Sequence, residues 1–417
     1  MTMNTGRAQA RPMPDVAVRF LRWAWARAFL ARGWWLVTSV HLVVVADLSA
    51  LELVLLGTFQ GITVVLAEVP AGVLADTVSR KWTLVLAHLV MGAGMAATGF
   101  STTFPALVLT QVLWGLGWAL SSGADVAWAT DELHRPDLID RVLAARARRE
   151  LLGAAAGLVG FGTLAWATDL SSAMVAAGVG MIALGGAEVA RFPEQRFTPT
   201  TERRWTEAAA IMRRGLVLAR GDRQILVVLV ATLLVNGGGE AFGRLHQMRL
   251  LDLGVADTPD PVAWFTALGL LTLLLGAVAL RIVEARIEGS GTARRAYASA
   301  CALGATGVFM LAQAPDSRVA VAGVLLAQGV GAPVTRAVAD IWVNRRATDV
   351  VRATVHSFLA QAENLGEIIL GVTLGLAARS TGITFALTGS AVLLASAGAL
   401  VAGATRGGSS ADGAATG

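Results

Sequence analysis

The stretch GVLADTVSRK, residues 72–81, places a short charged segment between two long apolar runs. About 20 apolar residues are enough to cross a bilayer as a helix. In such a segment Gly72 permits close helix packing and Asp76 can cap a nearby helix. The pair Arg80 and Lys81 supplies the positive charge that is typical of a cytoplasmic loop. The stretch therefore predicts two membrane helices joined by a tight cytoplasmic turn.

The composition is that of a membrane protein. Of the 417 residues, 55% are hydrophobic and only 15% are charged, and the mean hydropathy is +0.62. A water-soluble protein of this length would need more polar residues to cover its surface. The single cysteine, Cys301, excludes a disulfide framework and a thiolate zinc site. The net charge of +5 does not indicate nucleic-acid binding, because the basic residues lie in small clusters between apolar runs.

The apolar runs predict twelve membrane-spanning helices with short loops. The expected spans lie at 28–47, 51–72, 82–101, 104–128, 143–165, 171–190, 224–246, 262–282, 294–313, 318–340, 354–377 and 381–403. Roughly thirty of the 34 Lys and Arg residues fall in the tails, in the even-numbered loops or at the helix ends beside them. The positive-inside rule then places both termini in the cytoplasm. We therefore expect a multi-pass protein of the inner (plasma) membrane.

Residues 72–81 also resemble a known family signature. Gly72, Asp76, Arg80 and Lys81 correspond to the glycine, the acid and the basic pair of a loop signature of the major facilitator superfamily, whereas Thr77 and Ser79 stand where that signature has a further basic residue and a second glycine. Segment 122–133 resembles the cytoplasmic end of the fourth helix in drug-efflux-like members, and segment 344–357 resembles the family's loop into helix eleven. The resemblance implies an all-α membrane fold of two six-helix halves around a central cavity. It also implies transport.

The sequence divides at a charged linker. The expected organisation is a cytoplasmic N-terminal tail at 1–27, a six-helix half at 28–191, a linker at 192–223, a second six-helix half at 224–403 and a disordered tail at 404–417. Within the linker, apolar residues from Trp205 to Ala219 recur at helical spacing. They predict an amphipathic helix on the inner leaflet.

The resemblance implies a gate at the cytoplasmic ends of the helices. In the family, the acid of the loop motif faces the N-terminus of helix eleven, which places Asp76 near Ala353 and Thr354. The basic residue of the motif pairs with an acid at the end of helix four, which places Arg80 near Asp131. Such contacts would tie the two halves together while the cavity faces outward. The alternative is that these charges only end helices and fix the topology.

Charged residues inside the predicted spans are functional candidates, because each costs roughly 2.5–3.5 kcal/mol at a helix centre. Helix seven carries Glu240 and Arg244, whose i, i+4 spacing allows an ion pair. Helix eleven carries four polar residues near the middle of the membrane: Gln361, Glu363, Asn364 and Glu367. A carboxyl group in low dielectric can take up a proton on one side and release it on the other. We expect Glu363 to be the proton carrier, followed by Glu367 and Glu240; in the alternative these groups are permanently paired.

Aromatic and amide side chains of helices one, two and four are candidates for a substrate cavity: Trp34, Gln60, Gln111, Trp114 and Trp118. Together with Trp35, the indole rings could line a cavity for planar or cationic compounds. The alternative is an interfacial belt or plain helix packing. A glycine stripe in helix five, residues 153–162, predicts close approach to a neighbouring helix.

No catalytic or phosphate-binding motif is recognisable, and we expect no cofactor and no metal. Transport then draws on an ion gradient or runs downhill. We expect a proton antiporter that exports an amphipathic small molecule, such as an antibiotic or secondary metabolite, and that works as a monomer in the lipid bilayer. The alternative is a proton-coupled importer of a metabolite, which should have a denser polar lining. A membrane enzyme or receptor is the remaining alternative.

Overall fold

The computed structural model describes residues 13–199, 223–255, 260–286, 290–346 and 349–404. Within them it contains α-helices, one π-helical segment and no strand. The helices are α1 (Asp15–Val44), α2 (Ala50–Thr77), α3 (Arg80–Thr98), α4 (Phe104–Ser121), α5 (Ala124–Leu133), α6 (Pro136–Ala167), α7 (Leu170–Arg191), α8 (Arg223–Asp252), α9 (Pro261–Glu284), α10 (Ser290–Ala312), α11 (Ser317–Val324), α12 (Ala332–Arg346), α13 (Asp349–Thr381) and α14 (Ile383–Gly403). The π segment, Leu325–Gly331, joins α11 to α12.

These helices form twelve spans, as the sequence predicts. The helices α4 and α5 together make the fourth span, and α11, the π segment and α12 make the tenth. In the described part of the chain, 9 spans are long and apolar enough to cross a membrane by length and composition alone. The helices α1, α3 and α13 complete the set. The chain is therefore an all-α, multi-pass membrane protein.

The helices pack as two groups. Helices α1–α7 pack mainly against one another, and α8–α14 do the same. Contacts between the groups are made by α2 with α8 and α13, by α6 with α9, and by α1 with α8 and α9. The candidate residues for substrate binding and proton coupling lie in the space between these helices and in the core of the second group.

Two glycines bring equivalent spans of the two groups into close contact. Gly157 of α6, the fifth span, lies against the backbone carbonyl of Phe29 in α1. Gly366 of α13, the eleventh span, lies in the same way against the carbonyl of Leu233 in α8. A Cβ atom at either glycine would collide with backbone that has no freedom to move. The two groups therefore repeat one packing arrangement, as expected of parallel repeats.

An even number of spans places the start of α1 and the end of α14 on one side of the membrane. We call it the terminus side, and the opposite side the far side. The loop at residues 45–49, between α1 and α2, lies on the far side.

The first helix is longer than predicted, because it begins at Asp15 rather than at residue 28. The arginines among residues 1–27 favour a cytoplasmic tail in the sequence prediction. In the structure Arg27 stacks on the rings of Trp23 and Trp118, with Cζ 5.6 and 5.1 Å from the ring centroids. Phe20 is fully buried. Residues 15–27 are therefore an amphipathic extension of α1 that packs on the first group of helices.

The first residues of the predicted linker fold back on the same group. The Phe192 ring stacks on Trp128 with centroids 3.9 Å apart, and Trp128 Nε1 donates a hydrogen bond to the Pro193 carbonyl oxygen at 2.8 Å. The predicted amphipathic helix from Trp205 to Ala219 lies outside the described residues. The tail at 405–417 does too.

Candidate transport site

A cavity of about 200 Å³ lies between the two groups of helices. We call it the interface cavity. Its lining comes from α1, α2 and α6 of the first group and from α8, α9 and the π segment of the second. The polar side chains that line it are Arg32, Thr38, Ser39, Glu240, Arg244, His246, Gln247, Thr272 and Gln328. The apolar wall includes Trp35, Leu36, Leu42, Leu53, Leu158, Phe265 and Leu268.

The two charged residues of α8 pair inside this cavity. Arg244 Nε lies 2.8 Å from Glu240 Oε1, and the side chains are only 10% and 17% exposed. Arg244 Nη2 also donates to Gln60 Oε1 of α2 at 3.3 Å, across the boundary between the groups. The guanidinium carbon lies 5.0 Å from the centroid of the Trp35 ring. Arg244 therefore touches α2, α1 and its own helix at once.

Gly57 of α2 makes room for this pair. A Cβ atom built at Gly57 would collide with Glu240 Oε1 and would also crowd the Arg244 guanidinium. One turn further along α2, a Cβ at Gly61 would meet only Ile368, at an ordinary 3.5 Å. The absence of a side chain at residue 57 is therefore a requirement of the Glu240–Arg244 geometry.

A second cavity, of about 270 Å³, lies within the second group of helices. We call it the carboxylate cavity, because Glu240, Glu363 and Glu367 all line it. Arg336 of α12 and Tyr297 of α10 line it as well. Glu240 lines both cavities. The structure thus brings together the three carboxyl groups that the sequence singled out and connects them with the interface cavity.

The π segment lies between the two cavities. Gln328 lines the interface cavity, whereas Ala327 and Gly331 line the carboxylate cavity. A π segment inside a helix is rare and occurs often at functional sites. This segment is a feature that apolar periodicity alone could not predict.

Arg32 is a site residue that the sequence prediction missed. It lies in the middle of α1 and lines the interface cavity. Its Nε atom is buried, and in the described residues it has no hydrogen-bond partner. The signal was present in the sequence, because residue 32 is a charge inside a predicted span. A span predicted to begin at residue 28 places Arg32 near a helix end, where a charge needs no functional explanation.

Contacts between the groups continue on the far side of the interface cavity. Gln247 Nε2 donates to Ser39 Oγ at 2.8 Å. Met248 of α8 packs on a buried cluster formed by Leu42, Leu48, Leu53, Leu56 and Leu107 of the first group. The far side of this cavity is therefore closed by contacts between α8 and the helices α1, α2 and α4.

Two polar residues of α13 lie outside both cavities. Gln361 Nε2 donates to Glu68 Oε2 of α2 at 3.2 Å, a further contact between the groups. Glu68 is not among the site residues that the sequence predicts. Asn364 is half-buried on α13 and lines neither cavity.

The predicted aromatic cavity is largely a packed stack. Trp34 is fully buried, and its Nε1 donates to the Met95 carbonyl at 3.1 Å, so the prediction that it lines a cavity is wrong. Trp34 and Trp118 both stack on Trp114, with centroids 6.1 and 5.4 Å away. Only Trp35 of this stack lines the interface cavity. Consecutive indoles on helices pack on one another as readily as they line a cavity, and the sequence could not separate the two.

Gln111 is also buried away from both cavities. It is 0% exposed, and neither its amide nitrogen nor its amide oxygen has a partner in the described part of the chain. The assignment of Gln111 to the cavity lining is therefore wrong for the two cavities described here.

The charged residues of 72–81 contact one another and α5. Arg80 Nη1 contacts Asp131 Oδ2 and donates to the Ala127 carbonyl at 3.1 Å. Arg80 Nη2 lies 3.2 Å from Asp76 Oδ1. The structure thus places Arg80 beside Asp131, the position that the resemblance implies. Side chains at 342–357 are outside the described set, so the expected approach of Asp76 to Ala353 and Thr354 stays a prediction.

The rest of the motif serves local structure. Gly72 is half-buried in α2. Ser79, at a position where the family pattern has glycine, caps α3 by accepting from Trp82 N at 3.0 Å. Lys81 Nζ donates to the Val189 carbonyl at 2.9 Å, near the end of α7. Glu194 accepts from Lys81 N at 2.9 Å, which attaches the first residues of the linker to the motif.

A buried acid in the first group was not predicted as a site residue. Glu188 of α7 is 1% exposed. Its Oε1 accepts from Trp23 Nε1 and lies 3.1 Å from His88 Nδ1. None of the three residues lines either cavity, so this cluster joins α1, α3 and α7 within the first group. In the described residues no cluster of His, Cys, Asp or Glu has an arrangement that could hold a metal ion.

The sequence matches the family model of the Major Facilitator Superfamily over residues 24–371. The chain belongs to the major facilitator superfamily. The match runs from α1 into α13 and so spans the first group and most of the second, which are thus the two six-helix halves of the fold. No curated protein sequence matches the chain closely enough to be counted as a relative.

Solved structures of this superfamily fold are similar over nearly the whole chain. The nucleoside transporter NupG shares 13% identity, with a TM-score of 0.73 over 93% of this chain and 98% of that one. A POT family transporter in complex with 5-aminolevulinic acid shares 11% identity, with a TM-score of 0.72 over 92% and 95%. A bacterial homologue of the human lysosomal transporter Spinster, inward-facing and unoccupied, shares 14% identity, with a TM-score of 0.68 over 94% and 97%. At these identities the likeness shows the fold alone.

Proposed function

We propose that this protein is a proton-coupled secondary transporter of a small amphipathic molecule, working by alternating access of its two halves. Both termini face the cytoplasm of the plasma membrane. One observation carries the proposal: Glu240 lines both the cavity between the halves and the cavity that holds Glu363 and Glu367. A change in charge among the three carboxyl groups can thus act on the cavity where substrate binds.

The coupling step follows from the ion pair on α8. Three carboxyl groups around one cavity repel one another when all are ionised, so they share protons as a group. When Glu363 or Glu367 is protonated, Glu240 loses a repelling neighbour and pairs more firmly with Arg244. When both are ionised, their charges repel the Glu240 carboxylate, which weakens its pairing with Arg244 and frees Arg244 toward substrate. Arg244 also contacts Gln60 and Trp35 in the other half, so its release loosens contacts between the halves.

Export from the cytoplasm is the leading direction. The drug-efflux-like segment at 122–133 favours it, and so does the mixed lining of the interface cavity, where Trp35, Leu158 and Phe265 occur together with polar groups. Such a lining suits a molecule with one apolar and one polar part.

Import of a metabolite is the second candidate, and one observation favours it. The interface cavity has a denser polar lining than the sequence suggested, since Arg32, His246 and Gln247 were not predicted to line it. Two of the similar structures are described as a nucleoside transporter and as a transporter in complex with 5-aminolevulinic acid. Nucleosides and 5-aminolevulinic acid are both polar.

The sign of a pH change separates the two directions. Inside-out vesicles containing the protein are acidified in the lumen, and small aromatic compounds of either charge are added outside while a dye reports lumen pH. Antiport predicts that a transported compound makes the lumen less acidic, and symport predicts a further acidification. Vesicles without the protein correct for passive movement of weak acids and bases. A compound that the protein moves downhill with no lumen pH change would contradict proton coupling.

A further inference from the structure

Arg32 brings a positive charge into the interface cavity without a compensating acid. The residue is half-buried in the middle of α1, and its Nε is shielded from solvent. In the described residues Arg32 makes no hydrogen bond and no ion pair. A guanidinium carries five N–H donors and keeps its charge at any physiological pH. Burying Nε without a hydrogen-bond partner is unfavourable, and an anion that accepts from the guanidinium would relieve this cost.

The cavity as a whole has an excess of positive charge. Two guanidinium groups line it, Arg32 from the first half and Arg244 from the second, against the single carboxylate of Glu240. Glu240 is engaged by Arg244 Nε at 2.8 Å. Arg244 Nη1 has no hydrogen bond among the described residues and is available beside the cavity. An incoming anion can therefore meet one guanidinium from each half.

The apolar part of the lining is aromatic and aliphatic. The Trp35 ring already stacks under Arg244, and Leu158 and Phe265 continue the wall from α6 and α9. A simple inorganic anion would leave this wall exposed to water. A volume of about 200 Å³ is below the roughly 300–1,000 Å³ of cavities for drug-sized ligands, so the occupant is small.

We propose that the substrate is a small aromatic or otherwise apolar carboxylate, whose anionic group lies between Arg32 and Arg244 and whose ring lies along Trp35, Leu158 and Phe265. This deepens the proposed function, on which it rests, by naming the substrate class. Recognition by one arginine from each half also means that the anion bridges the halves across the cavity.

Equilibrium binding to the purified full-length protein in detergent tests the assignment without any gradient. Calorimetric titration with indole-3-acetate, phenylacetate and benzoate is compared with indole-3-acetamide, which has the same shape as indole-3-acetate but no charge, and with acetate alone. A charge-assisted hydrogen bond is worth about 1.5–3 kcal/mol, so at least one aromatic carboxylate should bind roughly tenfold or more tightly than the amide. Acetate should bind more weakly than the aromatic acids.

Arg32→Gln should remove the preference for carboxylate over amide, and Arg32→Lys should retain part of it. Because Arg32 has no partner to lose, Arg32→Gln should leave the Tm unchanged or raise it. Arg249→Gln is the matched control. Arg249 lies on α8 outside both cavities and donates to the carbonyls of Ala312 and Ala314, so its loss should lower the Tm and leave the preference intact.

Several results would overturn the assignment. They are equal affinity for indole-3-acetate and its amide, binding of acetate as tight as that of the aromatic acids, absence of binding by all three acids, and a preference that survives Arg32→Gln. Failure of the proposed function looks different. If carboxylates bind through Arg32 but an imposed proton gradient never drives their accumulation, the result supports the substrate class and contradicts proton coupling.

Discussion

At the scale of single residues, the site is built on Glu240, the carboxylate that both cavities share. Its partner Arg244 could be predicted from the i, i+4 spacing alone, because that spacing places side chains on one helix face. The contacts of Arg244 with Gln60 and Trp35 could not be predicted, since they join separate helices.

The Glu240–Arg244 pair should depend on the missing side chain at residue 57. Gly57→Ala places a methyl group where Glu240 Oε1 lies, so the pair must shift, and transport should fall by roughly tenfold or more. Gly61→Ala is the control on the same helix, because its methyl group would meet only Ile368 at 3.5 Å. Initial transport rates in vesicles at equal protein content measure both. Equal rates for the two variants would mean that the pair geometry is not needed.

At the scale of elements, the number and order of the spans followed from apolar length, because a bilayer requires about 20 apolar residues per helix. The start of α1 did not follow. The arginines before residue 28 predict that the span starts after them. In the structure Arg27 instead stacks on Trp23 and Trp118, and the helix continues through it. The π segment also could not be predicted, since the spacing of apolar residues does not mark a local change from α-helical to π-helical hydrogen bonding.

Close contact of α1 with α6 should be sensitive to a single methyl group. Gly157→Ala forces a methyl against the Phe29 carbonyl and should destabilise the protein by about 1–3 kcal/mol, the usual cost of overpacking. The Tm in detergent measures it. Gly186→Ala on α7 is the control, because a Cβ there meets nothing within 4 Å. A Tm for Gly157→Ala at or above that of Gly186→Ala would show that this contact is looser than described.

The contact of Arg80 with Asp131 should act on the transport cycle more than on folding. Arg80→Ala should impair transport while membrane insertion stays intact. The double variant Arg80→Ala/Asp131→Ala should transport only slightly less than Arg80→Ala alone, because both substitutions remove the same interaction. Arg135→Ala is the control, since its ion pair with Asp137 is exposed, at 47% and 61%. Additive losses from Arg80→Ala and Asp131→Ala would show that the two side chains act separately.

At the scale of the whole molecule, both halves repeat one packing arrangement, yet the charges that line the cavities are unequally divided. The carboxylate cavity and its three acids belong to the second half, whereas Arg32 and Trp35 come from the first. This asymmetry was only partly predictable. The acids stood out in apolar spans, but the sequence did not show that they face one cavity.

The orientation in the membrane stays a prediction that labelling can test. With Cys301 replaced by serine, single cysteines at Gly254 and Gly407 should report opposite sides, because the charge bias places the first outside the cell and the second inside. In intact cells an impermeant thiol reagent should label only the cysteine at 254. Labelling of both positions would contradict the assigned topology.

Gradient-driven accumulation by carboxyl variants tests the central claim most directly. A compound identified by the lumen pH assay is offered to inside-out vesicles with and without an imposed proton gradient, for wild type, Glu363→Gln and Glu367→Gln. Glutamine imitates the protonated acid permanently, so at least one variant should still exchange substrate downhill yet fail to accumulate it against a gradient. If both variants accumulate substrate at the wild-type rate, the carboxylate cavity does not carry the coupled proton and the account is contradicted.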